Sequence, residues 1–203
     1  MTVTGPSPLP LFPLTAHVLP GGKLPLRIFE PRYLRMVREA CRSGDGFGMC
    51  MVNQRDGKAL RNMFAIGTWV KVVDFEQLSD GLLGITVEGQ ASFAIDRVWQ
   101  EADGLRFGTV RYRQPWPELQ LCPAASELRD HLGYLYRQHD HLARLYPEPL
   151  PDNASWICQR WLELLPLAAA DKQYLLEQPD CRPALTFLER ALSQHEPEQE
   201  RFQ

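Results

Sequence analysis

The stretch from Leu9 to Tyr33, LPLFPLTAHVLPGGKLPLRIFEPRY, constrains the fold more than any other part of the chain. It holds five prolines and a Gly-Gly pair within 25 positions, interleaved with apolar residues, and runs straight into a helical pattern. Proline has no N–H to give to a ladder, so Leu11 to Leu14 reads as a short buried strand at a sheet edge or strand end. Pro20-Gly21-Gly22 reads as a turn, with glycine supplying the positive φ that other residues resist. Leu24 to Phe29 resumes an extended run. Pro31 then stands at the first helical position, where its missing N–H costs nothing.

From Pro31 to Ser43 the apolar positions Tyr33, Met36, Val37, Ala40 and Cys41 follow helical spacing, and Gly44 is placed to stop the helix. The period then changes to two. Strands are expected at Phe47 to Val52, Phe64 to Phe75, Leu83 to Glu88, Ala91 to Trp99 and Leu105 to Arg113. Turns are expected at Gln54 to Gly57, Ser79 to Gly81 and Glu101 to Gly104. Many strands, short Gly/Asp turns and one inserted helix indicate a small barrel or strongly curled sheet rather than a βαβ array. Past Pro115-Trp116-Pro117 the pattern is helical. Leu128, Leu132, Leu135, His139 and Leu142 line one face of a long helix expected from Ala124 to Leu145. Pro147, Pro149 and Pro151 mark a loop. Asp152 or Asn153 is placed to cap the next helix, which carries Ile157, Trp161 and Leu164 and ends at Pro166. Two shorter helices are expected around Lys172 to Glu177 and Arg182 to Gln194. The class is α+β, with a β-barrel subdomain over 1–118 and a helical bundle over 119–203.

Charge excludes one class of partner. Residues 1–118 carry 14 Lys and Arg against 12 Asp and Glu, and residues 119–203 carry 8 against 13. Neither part has the basic footprint of a nucleic-acid binder, so no nucleic-acid partner is expected. The five cysteines form no CxxC pair, which argues for buried reduced thiols rather than a disulfide framework or zinc site. The first 22 residues contain no Lys or Arg, so no signal peptide is expected. The late apolar run Leu164 to Ala170 is broken by Pro166 and far too short for a membrane span. A cytoplasmic location without a membrane partner is the expectation.

Motifs for catalysis fail on inspection. A phosphate loop at Gly21-Gly22-Lys23 would need glycine where His17 stands and Ser or Thr where Leu24 stands. Gly44, Gly46 and Gly48 begin like a dinucleotide fingerprint, but Met49 breaks it and a strand pattern follows. His139 and His141 point to different helix faces, and His131 is two turns from His139, so no metal site is expected among them. No GxSxG elbow occurs. No cofactor is expected. A different class stays open: a small hydrolase pairing one of the cysteines with His17 or His131.

Taken in order along the chain, several stretches carry a family resemblance: the opening Leu9 to Tyr33, Phe47-Gly48-Met49-Cys50, Ile66-Gly67-Thr68, Asp80 to Ile85, and Arg160-Trp161-Leu162-Glu163-Leu164-Leu165-Pro166. Together the sequence resembles the N-terminal, substrate-binding domain of Lon-type ATP-dependent proteases, in the stand-alone bacterial form. That module is also found in cereblon. The resemblance covers nearly the whole chain and implies a PUA-like β-barrel followed by a helical bundle. It implies a non-enzymatic module that binds polypeptide segments or a partner protein, without the ATPase and Ser–Lys protease modules. RNA binding, by analogy with PUA domains, is a further alternative that rests on fold alone.

Five residues are the candidates for binding. In an unbroken strand Trp69, Lys71, Val73 and Phe75 share one face and Val70, Val72 and Asp74 the other. A lysine among apolar neighbours marks a face only partly covered, which makes Trp69, Lys71 and Phe75 a candidate surface. Arg27 and Arg32, near Glu30 at the helix start, are candidates to grip a partner carboxylate in a bidentate fork. The competing role for these arginines is an internal Arg–Glu pair that pins the loop.

Overall fold

The computed structural model describes residues 8–53, 62–146 and 149–193. The strands are β1 (Leu9–Leu14), β2 (Lys23–Ile28), β3 (Phe47–Val52), β4 (Met63–Gln77), β5 (Leu83–Gln100) and β6 (Arg106–Tyr112). The helices are α1 (Pro31–Ser43), α2 (Pro123–Gln138), α3 (Asp140–Leu145), α4 (Ala154–Leu164), α5 (Ala169–Glu177) and α6 (Arg182–Ser193). The expected turn at Gln54 to Gly57 lies outside the described residues.

Two compact units form. The first takes the chain up to Pro115 and adds Leu167–Leu176; the second holds Trp116–Pro166 and the chain from Glu177. The sequence pattern places one boundary at 118/119, whereas the contacts divide the chain after Pro115 and return Leu167–Leu176 to the first unit. Much of α5 belongs with the strands, because the Gln173 side-chain amide bonds both backbone groups of Ile66, accepting from its N–H at 3.0 Å and donating to its carbonyl at 2.9 Å. Arg113 adds a hydrogen bond to the Leu176 carbonyl at 3.1 Å. Helical periodicity does not reveal such side-chain-to-strand bonds.

In the first unit the six strands are ordered β2-β5-β4-β3-β1-β6, and β6 also pairs with β5. The pairings β5–β4–β3–β1–β6 thus return to β5 and close. β1 and β3 run parallel, and the other pairs are antiparallel. Closure depends on the 18-residue length of β5, which pairs first with β2 and β4 and then with β6. The sequence pattern divides it into two strands at Gly89-Gln90. The structure instead keeps one strand with a register shift at that point. The glycine serves close approach rather than a reversal. Gly89 exchanges backbone hydrogen bonds with Gly21 and Gly22, and a Cβ there would lie 2.2 Å from the Leu19 carbonyl oxygen.

Both faces of the sheet are covered, which is why β1 reads as nearly continuous apolar sequence. On one face Phe12, Phe47, Met49, Val70, Ile85 and Val87 pack with Met36, Val37 and Ala40 of α1. Inside the closed ring, Leu9, Leu11, Cys50, Met63 and Phe93 form a second cluster, flanked by Trp69 and Tyr112. Ile85 and Val87 belong to the first cluster and Phe93 to the second, although all three are odd-numbered. The shift between Gly89 and Ala91 moves the side chains across the sheet. The ring is narrow enough to require bare backbone opposite its aromatic filler. A Cβ on Gly67 would lie 2.6 Å from Phe93 Cζ and 2.7 Å from the Met49 carbonyl oxygen.

In the second unit, Asn153 caps α4 by accepting from the Ser155 and Trp156 amides at 3.0 and 3.3 Å. The long helix expected from Ala124 to Leu145 is broken at His139, whose backbone is extended (φ −129°, ψ 99°) and whose carbonyl accepts the first hydrogen bonds of α3. The α2 stripe that becomes buried is Leu128, Leu132, Gly133 and Tyr136. Tyr136 stacks on Tyr146 at 4.8 Å, and Tyr146 meets Trp156 edge-on at 5.7 Å. Arg160 is fully buried, pairs with Glu163 at 2.8 Å and lies over the Trp156 ring at 5.1 Å.

Two substitutions test this packing. Gly67→Ala is expected to cost at least about 1–3 kcal/mol, since the new methyl meets both a ring and a carbonyl. Glu163→Ala strands a buried guanidinium and is expected to cost about 3–5 kcal/mol. Urea unfolding monitored by circular dichroism reads both.

Candidate functional site

The register of β4 decides where the candidate residues lie. β4 pairs with β5 at Val72↔Val87 and next at Asp74↔Thr86 and Phe75↔Ile85, so Val73 is an unpaired extra residue. This bulge reverses the alternation. Val72 and Phe75 therefore face the α1 side with Val87 and Ile85, whereas Trp69 faces the ring interior. The expected common face of Trp69, Lys71 and Phe75 does not exist. A bulge depends on how the neighbouring strand hydrogen-bonds, and period-two spacing carries no trace of it.

Trp69 is half-buried. Its Nε1–H donates to the Asp45 carbonyl at 2.5 Å, and its ring meets Tyr112 edge-on at 5.9 Å. Burial raises the Tyr112 hydroxyl to about 12. Lys71 is exposed, with its Nζ 5.4 Å from the centre of the Trp69 ring. Arg27 pairs with Asp80 in the β4–β5 turn, and Arg32 pairs with Glu30 and lies over Tyr33. Both arginines thus have carboxylate partners within the chain. The cation that pins α1 is Arg35, which the sequence reading left without a role. It bonds Glu101 at 2.6 Å and Asp103 at 2.8 Å in the β5–β6 turn. The Leu105 amide and Arg35 hold Asp103 below the usual carboxylate range.

Phe75, 55% exposed, separates two adjoining hollows on the α1 side. One, of about 340 Å³, is lined by Ala40, Cys41, Gly44, Lys71 and Val72; the other, of about 400 Å³, by Gln77, Leu82 and Leu83. Ala40 and Cys41 come from the last turns of α1, and their role here was missed because the apolar stripe of a helix reads as core along its whole length. The signal available was Cys41, which ends that stripe and is exposed. A larger cleft of about 640 Å³ in the second unit is polar, and its Arg129 is paired with Asp130 and Asp152.

Three of the five thiols are buried. Cys50 is buried in the ring, where desolvation pushes it up to about 12. Cys158 and Cys181 are buried together, and the hydrogen bond between them raises Cys158 and lowers Cys181. Cys41 and Cys122 are exposed, and partial covering raises Cys41. Among the described residues no group of three or more His, Cys, Asp or Glu is placed to hold a metal ion. No helix among them is long and apolar enough to cross a membrane.

Residues 8–194 match the family described as the ATP-dependent protease La (LON) substrate-binding domain. The chain belongs to that family. A solved structure, the Lon N-terminal domain protein from Xanthomonas campestris, is 33% identical, superposes with a TM-score of 0.67, and is matched over 92% of this chain and 98% of that one. The N-terminal domain of the Mycobacterium avium complex Lon protease shares the fold at 16% identity, with a TM-score of 0.61 over 92% of this chain and 98% of that one. Lon protease 4 of Sorangium cellulosum is 36% identical over 94 residues, which are 44% of this chain and 11% of that protein. Lon protease 2 of Myxococcus xanthus is 27% identical over 106 residues, 50% of this chain and 13% of that protein. The matched part is therefore about an eighth of these full-length relatives.

Within this Lon substrate-binding domain, three of the stretches that carried the resemblance sit at points of close packing. Gly48 and Gly67 give the ring its bare backbone, and Arg160 to Leu164 supply the buried ion pair of the second unit.

Thiol accessibility is a direct check. A chromogenic disulfide reagent is expected to modify two thiols rapidly in the folded domain, Cys41 and Cys122, and all five after denaturation. Fast reaction of a third would reveal an activated thiolate. Folding keeps Cys50 protonated up to about 12 against 9.0 for an unperturbed thiol. The unfolded chain thus binds fewer protons in that interval, and stability falls as pH rises from 9 towards 12.

Proposed function

We propose that this domain is a non-enzymatic recognition module for polypeptide segments, and that the groove on either side of Phe75 is where it binds them. The observation carrying the reading is an aromatic ring left in solvent with a hollow on either side of it and a lysine beside it; Phe29, Tyr134 and Tyr174 are exposed as well, so the hollows and not exposure alone mark Phe75. Such a surface takes up apolar side chains that a folded protein would hide. Family membership supports the same chemistry, since the family is described by substrate binding. The reading is completed by a PUA-like barrel for the closed strands, a helical bundle for the second unit, and residence in the cytoplasm. Trp69 supports the groove from the ring side, while Arg27 and Arg32 hold the loops around α1 rather than a ligand.

Purified protein is expected to turn over neither ATP nor a peptide substrate above blank, while binding a reduced and alkylated unfolded protein in a fluorescence assay. Phe75→Ser should weaken that binding by about 1–3 kcal/mol and change stability by about 0.5 kcal/mol or less. Trp69→Ala should do the reverse, lowering stability by about 2–4 kcal/mol. Turnover that is lost on a point substitution in this chain, or unchanged binding by Phe75→Ser, would refute the reading.

A further inference from the structure

We infer that residues 71–77 of β4 accept an extended polypeptide as an added strand, with an apolar side chain entering the hollow between α1 and Phe75 and a carboxylate side chain reaching Lys71. The inference rests on the recognition reading above and specifies how the segment is held. β4 outruns its neighbour. β3 pairs with it only from Phe47↔Val70 toward the start of β4, while β5 pairs with it through Gln77↔Leu83. Beyond Val70, β4 therefore has β5 on one side and, among the described residues, no strand on the other. On that side no described strand pairs with its backbone, and the Phe75 N–H donates to the Asp74 carboxylate at 2.8 Å, a local side-chain bond that an incoming strand would displace; an unpaired strand edge is the feature strand addition uses.

The hollow lies along that edge. Lys71, Val72 and Phe75 line it from β4, and Ala40, Cys41 and Gly44 line it from the end of α1. In an extended chain successive side chains alternate and same-side neighbours stand about 7 Å apart. A segment lying along β4 can thus place one apolar side chain in this hollow and the next same-side one beyond Phe75, near Leu82 and Leu83. Main-chain bonds supply affinity without regard to sequence, and the hollows select apolar residues. Residues 71–77 carry one cation, Lys71, and two carboxylates, Asp74 and Glu76, so a carboxylate on the occupant is favoured only beside Lys71. No ion pair among the described residues involves Lys71; its ammonium rests over the Trp69 ring. The Val73 bulge and the charged Lys71 guard the edge against indiscriminate pairing, as edge strands commonly require.

The test uses the intact domain and a fluorescein-labelled peptide in which a glutamate precedes two leucines spaced two residues apart, flanked by serine and glycine. Two derivatives carry N-methyl groups on alternate sets of backbone amides, leaving every side chain in place. One set is expected to abolish binding, because those N–H groups face β4, and the other to leave it within about twofold. Exchanging the glutamate for lysine should weaken binding about three- to fivefold, and Lys71→Glu should restore the lysine peptide's affinity. Equal effects of the two methylated sets overturn strand addition, and indifference to the charge exchange overturns the role of Lys71. Neither result touches the groove itself, which the Phe75→Ser variant tests with the unmethylated peptide.

Discussion

The first unit depends on a steric constraint at the centre of its strand ring. Phe93 fills the space between β3 and β4, and the strands approach it closely only because positions 48 and 67 carry no side chain. With that filler in place, β5 can remain a single strand long enough to pair with β4 and then with β6, and β5, β4, β3, β1 and β6 close into a ring with β2 outside it. Closure in turn requires that side chains change faces along β5, which the shift beside Gly89 accomplishes. The Pro20–Gly22 turn fits against the same glycine. One small residue therefore serves the turn, the bulge and the curl of the sheet together.

The groove is a consequence of where this closed sheet stops being covered. α1 lies over the outer face through Met36, Val37 and Ala40, and Arg35 ties it to the β5–β6 turn. The helix ends at Gly44, whose amide bonds the Ala40 carbonyl, while β4 continues to Gln77. Past the last turn of α1 the apolar face continues through Val72 to Phe75 with less cover. The groove arises here from a mismatch of element lengths, which costs the fold little because the ring behind it is complete.

Coulombic contacts divide between the two units in an instructive way. In the first unit the arginines around α1 are paired at the surface, where each pair contributes a modest amount and serves mainly to orient loops. In the second unit Arg160 and Glu163 pair within one helix turn, with the guanidinium wholly buried under Trp156. A pair of that kind is weak evidence of net stabilisation, yet removing one partner is costly. It fixes α4 in one rotational setting against its aromatic neighbours.

The sequence by itself determined the order and kind of most elements. Helical spacing from Tyr33 to Cys41, strand spacing at Phe47 to Val52 and the turn residues at Ser79 to Gly81 are local properties, set by backbone conformation and side-chain period. The order of the stretches from Leu9 to Tyr33, Phe47 to Cys50, Ile66 to Thr68, Asp80 to Ile85 and Arg160 to Pro166 was also enough to name the family. Tertiary structure alone decided the rest. Whether Gly89 ends a strand or admits a turn, whether α2 continues through His139, and whether α5 packs on β4 all depend on partners distant in the chain. The candidate site was legible only in part: Lys71 and Phe75 both line the hollow beside α1, but the bulge at Val73 turns Phe75 to the face opposite Trp69, so the single face that the spacing implies does not form. A one-residue shift in a hydrogen-bond ladder reverses every side chain beyond it, and that shift is set by the neighbouring strand rather than by the residues that are reversed.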